Sequence, residues 1–171
     1  KGAYITKATV QLMRDLGAIQ SPQNAFYLNL GLETLHLRMK AHCSNALEVA
    51  RFLKSQDQVA WVNYPELEGD SYYERARKYL PKGSCGVVSF GLKGGRELAT
   101  RFMDKLELAA IMTHVADSKT CLLHPASHTH RQLSDQQLSE AGVAPDLIRF
   151  SVGLENVEDI IADLKQALSA I

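Results

Sequence analysis

An α/β layered domain is the fold this sequence predicts. Short β-branched and aromatic runs alternate along the chain with segments whose apolar residues step by threes and fours. No internal repeat or low-complexity tract interrupts that alternation, and the turns between elements are short. Of the 171 residues, 46% are hydrophobic and 22% charged, so the chain can bury a core and lies far from the composition of disorder.

The elements follow in order. After a first stretch containing Val10 to Leu16, Ser21 and Pro22 form a helix start: the serine caps, and the proline sits where its missing donor costs nothing. One long helix is expected from there, with Leu28, Leu32, Leu35, Met39, Cys43, Ala46, Leu47, Ala50 and Leu53 on a single stripe. Val59 to Tyr64, ended by Pro65, reads as a strand. A helix around Tyr72 to Leu80 precedes a second strand, Gly86 to Leu92. Gly94 and Gly95 then turn the chain into a helix with Leu98, Phe102 and Leu106 on one face. Further strands are expected at Leu108 to Met112, Thr120 to Leu123 and Leu147 to Val152. Asn156 caps a final helix, with Glu158 and Asp159 where the backbone dipole favours anions and Val157, Ile160, Ile161, Leu164, Leu168 and Ile171 as its apolar stripe.

Charge narrows the partners. Nineteen Lys and Arg balance nineteen Asp and Glu, so neither a duplex nor a membrane surface is the expected ligand, since both favour a basic excess. A small molecule or a protein is expected instead. Cys43, Cys85 and Cys121 are odd in number and widely spaced, which fits neither a disulfide framework nor a C-x-x-C motif, and points to a reducing compartment, the cytoplasm. The start, Lys1 to Ile5, lacks the basic and then apolar pattern of a leader, and no stretch approaches roughly 18 uninterrupted apolar residues.

Three constellations could carry chemistry. His124, His128 and His130, with His114 upstream, could offer two imidazoles on one face to a metal, but no finger or H-E-x-x-H spacing accompanies them. The reading favoured for them is a polar loop bonded to backbone and water, with no metal. Gly91, Gly94 and Gly95 could cradle a phosphate, yet they lack the order of either defined phosphate loop, and a plain strand-to-helix turn is favoured. Arg149 is the third. Alternation puts Ile148, Phe150 and Val152 on one face of its strand and Arg149 with Ser151 on the other, where a planar fork can grip a carboxylate or simply face solvent. No Ser/His/Asp order and no catalytic cysteine can be defended, and Cys43 falls on an apolar stripe.

Several of these segments occur together in one known family. Ser21 to Phe26 leading into Gly31 to Leu35 with Arg38 and Met39, then His124 to His130, then Leu147 to Glu155, resemble in order the C-terminal part of the Cys/Met-metabolism enzymes that use pyridoxal phosphate. Trp61 to Pro65, Lys78 to Gly83, Ser89 to Gly95 and His124 to His130 are most similar to the O-acetylhomoserine sulfhydrylase members. The resemblance implies a fragment: residues 1–30 as the end of a large cofactor-binding domain and 31–171 as a small C-terminal domain, a mixed sheet covered on one side by helices. It implies pyridoxal phosphate as cofactor of the intact enzyme, with the cofactor lysine and most of the phosphate cradle outside this chain. No catalytic and no cofactor-binding residue is therefore expected here.

By the same resemblance, Arg149 holds the substrate α-carboxylate, Thr129 lines the active-site cleft, and His114 occupies a substrate-holding position that is usually asparagine in the sulfhydrylases and serine in the lyases. The implied reaction replaces the γ-acetoxy group of O-acetyl-L-homoserine by sulfide or a small thiol, giving homocysteine for methionine biosynthesis. The implied partners are the N-terminal part of the same enzyme and further copies, as a tetramer. Cystathionine γ-synthase, O-succinylhomoserine sulfhydrylase and methionine γ-lyase are alternatives within the family. A free-standing α/β ligand-binding module, with Arg149 as an anion anchor, is the alternative outside it.

Overall fold

The structure, a computed structural model, describes residues 2–171. Two compact units result, one ending at His36 and one running Leu37–Ile171. In the first, helix α1 (Ala3–Thr6) continues through a π-helical segment (Lys7–Met13) into α2 (Arg14–Leu16), which Gly17 ends in the left-handed region at φ 67°. Helix α3 (Pro22–Glu33) starts as predicted, with Ser21 Oγ accepting from the Asn24 N–H at 3.2 Å. None of these elements buries a residue. Phe26, Tyr27, Leu28, Leu30 and Leu32 are each more than half exposed.

The single long helix expected from Pro22 is divided in the structure. Thr34 leaves the helical region (φ −106°, ψ 4°), and a separate helix α4 (Leu35–Lys54) follows. The predicted stripe is exposed at Leu28, Leu32 and Leu35 and buried only at Ala46, Ala50 and Leu53. With no burial to hold it helical, a β-branched residue of poor helix propensity is where the chain breaks.

The second unit carries a five-stranded mixed sheet, made of β1 (Val59–Asn63), β2 (Val87–Leu92), β3 (Ala110–Ile111), β4 (Cys121–Leu123) and β5 (Leu147–Ser151) in the order β1-β2-β5-β4-β3. Only β3 and β4 run parallel; the other neighbours are antiparallel. Val88 and Phe90 of β2, Leu122 of β4, and Ile148 and Phe150 of β5 share one face by register and pack with α4, α6 (Gly95–Met103) and α8 (Val157–Ser169). The rings of Phe90 and Phe102 meet edge to face at 5.9 Å. This is the mixed sheet with helices on one side that the sequence and its resemblance led us to expect.

Smaller elements depart from expectation for identifiable reasons. Helix α5 (Tyr73–Tyr79) lies where predicted. Helix α7 (Asp135–Glu140) is an additional element, started by a full capping box in which the Ser134 and Gln137 side chains each accept from the other's backbone N–H. The strand expected over Leu108 to Met112 shrinks to Ala110–Ile111 because the N–H groups of Glu107, Leu108 and Ala109 donate to the Asp163 carboxylate at 2.8, 3.1 and 2.9 Å. Those amides are not free to join the sheet ladder. Among the described residues, no helix is long and apolar enough to cross a membrane.

Candidate functional site

Arg149 is presented by β5 on the face opposite the helices. Its cross-strand neighbours are Ser89 on β2 and Leu123 on β4, and Ser151 follows two residues on. Ile148 and Phe150, the flanking residues on the other face, are fully buried and fix the strand. The turn after β5 is pinned as well. Buried His42 has Nδ1 at 2.7 Å from the Val152 carbonyl, and Asn45 Nδ2 donates to the carbonyls of Gly153 and Glu155 at 3.2 and 3.0 Å. Glu155 accepts from the N–H and the hydroxyl of Thr120 at 2.7 and 2.8 Å, and Thr120 Oγ1 accepts from the Gly153 N–H at 2.9 Å. The arginine therefore projects from a rigid base, which is what precise recognition requires.

The guanidinium is only partly satisfied. Nη2 donates to the carbonyls of Thr113 and His114 at 2.8 and 3.2 Å. Arg149 Nε is the one buried side-chain nitrogen or oxygen among the described residues that lacks a hydrogen-bond partner. Leaving such a donor unmatched costs about 1–3 kcal/mol, more for a charged group, so this nitrogen needs an acceptor that the described residues do not supply. A carboxylate supplies one, with the charge complement that makes such bonds strong.

The loop that supplies the two carbonyls is itself distorted. Ala116 is in the left-handed region (φ 57°), the only non-glycine described residue with positive φ. That conformation costs an L-residue about 1–2 kcal/mol. Ala116→Gly is therefore expected to raise stability by about 0.5–1 kcal/mol after allowing for glycine's extra freedom when unfolded. A higher urea midpoint at unchanged slope checks it.

The other predicted residues have different surroundings. The His114 side chain is exposed and pairs with Asp117 at 3.3 Å; its carbonyl, not its imidazole, touches Arg149. The Lys119 N–H, followed by the bond from His114, holds the Asp117 carboxyl below its ordinary range. Thr129 is exposed with Oγ1 2.9 Å from His130 Nδ1, so its contacts lead to the histidine turn and not to Arg149.

The histidines of that turn are bonded within the protein. His124 is fully buried, with Nε2 at 2.8 Å from the Pro145 carbonyl and Nδ1 at 2.8 Å from Ser127 Oγ. Nε2 must be the donor, so Nδ1 accepts from the hydroxyl. Burial holds the His124 pKa below the ordinary value and keeps the ring neutral. His128 Nδ1 lies 3.0 Å from the His124 carbonyl. Among the described residues, no three His, Cys, Asp or Glu side chains gather as a metal would need. The glycine turn is a plain strand-to-helix connection, with Gly95 at φ 63° beginning α6. At Cys43, burial and then nearby Glu66 push the thiol pKa up, which opposes nucleophilic use.

Alternation along β5 places Arg149 but not its surroundings. The Thr113 and His114 carbonyls, buried Cys121, and the Glu155–Thr120 clamp depend on pairing between segments about 35 residues apart. One signal was available: Ser151 shares Arg149's face by the same alternation.

Comparison with known proteins adds to this geometry. The sequence model of the Cys/Met metabolism PLP-dependent enzymes matches residues 1–169. The chain belongs to that family. Among curated family relatives, it is 48% identical to O-acetyl-L-homoserine sulfhydrylase of Leptospira meyeri over 99% of this chain and 38% of that protein. It is 47% identical to O-acetyl-L-homoserine sulfhydrylase 1 of Thermus thermophilus over 98% of this chain and 40% of that protein. The fold matches a Campylobacter jejuni O-acetylhomoserine (thiol)-lyase at a TM-score of 0.87 and 44% identity, over 95% of this chain and 39% of that one; that structure carries a pyridoxyl-lysine monophosphate. The chain thus spans about two fifths of the length of the family members it matches.

The family is pyridoxal-phosphate dependent, so the residues present can be tested against that cofactor. Imine formation needs a lysine whose amine is desolvated or otherwise made neutral. All nine lysines among the described residues are exposed. Lys54 donates to the Glu68 carbonyl, and Lys78 lies over the Tyr79 ring. None of the nine is desolvated within this chain, as a lysine that forms the imine must be. The orphaned Arg149 Nε fits one part of an amino-acid substrate, its carboxylate.

Proposed function

We propose that this chain is the C-terminal portion of a pyridoxal-phosphate-dependent transferase that converts O-acetyl-L-homoserine and sulfide, or a small thiol, to homocysteine or its thioether, releasing acetate. Its contribution is the substrate anchor. Arg149 binds and orients the α-carboxylate, so that the rest of the amino acid is held in one pose for chemistry performed elsewhere in the enzyme, a positioning effect. The observation that carries this reading is the buried, unpartnered Arg149 Nε beside an Nη2 already fixed by two carbonyls. The identity to O-acetylhomoserine sulfhydrylases over nearly the whole chain supports the choice of substrate.

His114 and Thr129 complete the proposed substrate-facing set, His114 beside the arginine and Thr129 on the histidine turn. Residues 1–30 are proposed as the end of the large cofactor-binding domain. Helices with no buried residue and several largely exposed aromatic and aliphatic side chains require a cover, and the remaining portion of the same enzyme is the proposed one. A cytoplasmic homotetramer serving methionine biosynthesis completes the proposal.

Two measurements test it. Purified full-length enzyme, given acetylated or succinylated homoserine with sulfide, cysteine or no acceptor, is expected to make homocysteine fastest from the acetyl ester and sulfide. Cystathionine as main product, or 2-oxobutyrate released without an acceptor, would move the enzyme to another branch of the family. The chain alone, mixed with pyridoxal phosphate, is expected to show no absorbance band of a lysine-bound cofactor. A stoichiometric band would place the attachment site within these residues and overturn the division of labour.

A further inference from the structure

Arg149 is oriented by backbone, so whatever fixes that backbone fixes the arginine. The two carbonyls belong to Thr113 and His114, in the loop between β3 and β4. Its ends are held by the sheet and the turn after β5: the Met112 N–H donates to the Leu122 carbonyl at 3.0 Å, and the Leu154 N–H to the Ser118 carbonyl at 2.8 Å. Between them, the loop passes through the unfavourable left-handed conformation at Ala116. A strained segment keeps such a shape only where its surroundings impose it.

Two buried side chains impose it here. Cys121 and Ser151 face each other in register across β4 and β5, on the same face as Arg149. The Ser151 hydroxyl accepts from the Ala116 N–H at 3.2 Å. The Cys121 thiol donates to the His114 carbonyl at 3.2 Å, the same carbonyl that receives Arg149 Nη2. Ser151 is 1% exposed and Cys121 fully buried, so each polar group needs a partner, and both partners lie in one loop.

We propose that Ser151 and Cys121 act as a pair of positioning residues, holding the Thr113–Ala116 loop so that its carbonyls aim Arg149 and leave the buried Nε without a partner other than the substrate carboxylate. The chemical state of the thiol agrees with this role. Burial, the largest influence, raises the Cys121 pKa, so the group stays a neutral S–H donor and does not become a thiolate that would compete for the arginine.

The inference rests on the reading of Arg149 as carboxylate anchor, and kinetics of the full-length enzyme separate the two. Ser151→Ala and Cys121→Val are each expected to raise KM for the amino-acid substrate about three- to tenfold, the range of one lost hydrogen bond, with kcat and cofactor absorbance unchanged. Ser151→Thr, which keeps the hydroxyl, is expected to restore KM to near the parent value. In an Arg149→Lys background, Ser151→Ala is expected to add nothing further, because residues acting through one group are not additive. If Arg149→Lys raises KM while neither Ser151→Ala nor Cys121→Val does, or if either effect is fully additive with Arg149→Lys, the positioning role is overturned and the anchor stands. If Arg149→Lys leaves KM unchanged, the anchor itself falls, and the positioning role with it. Should Ser151→Ala fail to accumulate as folded enzyme, the near-isosteric Cys121→Val carries the same prediction.

Discussion

Replacing Arg149 with alanine in the full-length enzyme is expected to raise KM for the amino-acid substrate about a hundredfold and to leave cofactor absorbance as in the parent. The magnitude follows from charge-assisted hydrogen bonds at about 1.5–3 kcal/mol each, set against about 2.7 kcal/mol for a hundredfold change. The effect is assigned to KM because a grip made alike in the ground and transition states contributes binding and leaves kcat unchanged. Stability should change little: the His114 carbonyl keeps the Cys121 thiol as donor, and the Thr113 carbonyl belongs to an exposed residue. Steady-state kinetics with the acetylated amino acid varied at saturating sulfide check the prediction. An unchanged KM would remove the arginine from the site.

A second large effect is expected at the entry to β3. Asp163, only 6% exposed on α8, accepts at Oδ1 from the Glu107 N–H and at Oδ2 from those of Leu108 and Ala109, while Gln166 Nε2 donates to Oδ1 at 3.0 Å. Asp163→Ala leaves three backbone donors unmatched at the entry to β3. At about 1–3 kcal/mol for a buried donor, with Ala109 buried but Glu107 and Leu108 exposed so that water can reach their N–H groups, stability is expected to fall by about 2–4 kcal/mol. Asp163→Asn keeps one oxygen and can satisfy one side of the loop, so about half that loss is expected. Urea unfolding followed by circular dichroism compares them. Equal midpoints for the parent and Asp163→Ala would show that the carboxylate does not hold this loop.

Asp163 also illustrates what sequence could not reveal. The stripe Ile160, Ile161, Leu164, Leu168 defined α8 by spacing alone, and its cap Asn156 was legible. An aspartate beside that stripe looks like a solvated charge until the Glu107–Ala109 loop is brought to it from more than 50 residues away. The shortening of β3 was hidden for the same reason. Alternation within one strand was enough to put Arg149 on the face away from the core, because period two is a local property. Its orphaned Nε, the carbonyls it meets and the Cys121–Ser151 register are products of strand order, which local pattern does not encode. The division of the long helix at Thr34 has another cause. Periodicity assumed that a stripe running through Leu28, Leu32 and Leu35 faced a core, whereas in the chain itself those side chains are exposed.

The central claim is that Arg149 holds the substrate's carboxylate through the nitrogen that its own chain leaves unpartnered. A crystal structure of the full-length enzyme with the amino-acid substrate or an unreactive analogue tests it most directly. The expected result is a carboxylate oxygen at about 2.9 Å from Arg149 Nε, with Nη2 still on the Thr113 and His114 carbonyls. A carboxylate bound elsewhere, with Nε bonded to a group of the enzyme itself, would contradict it.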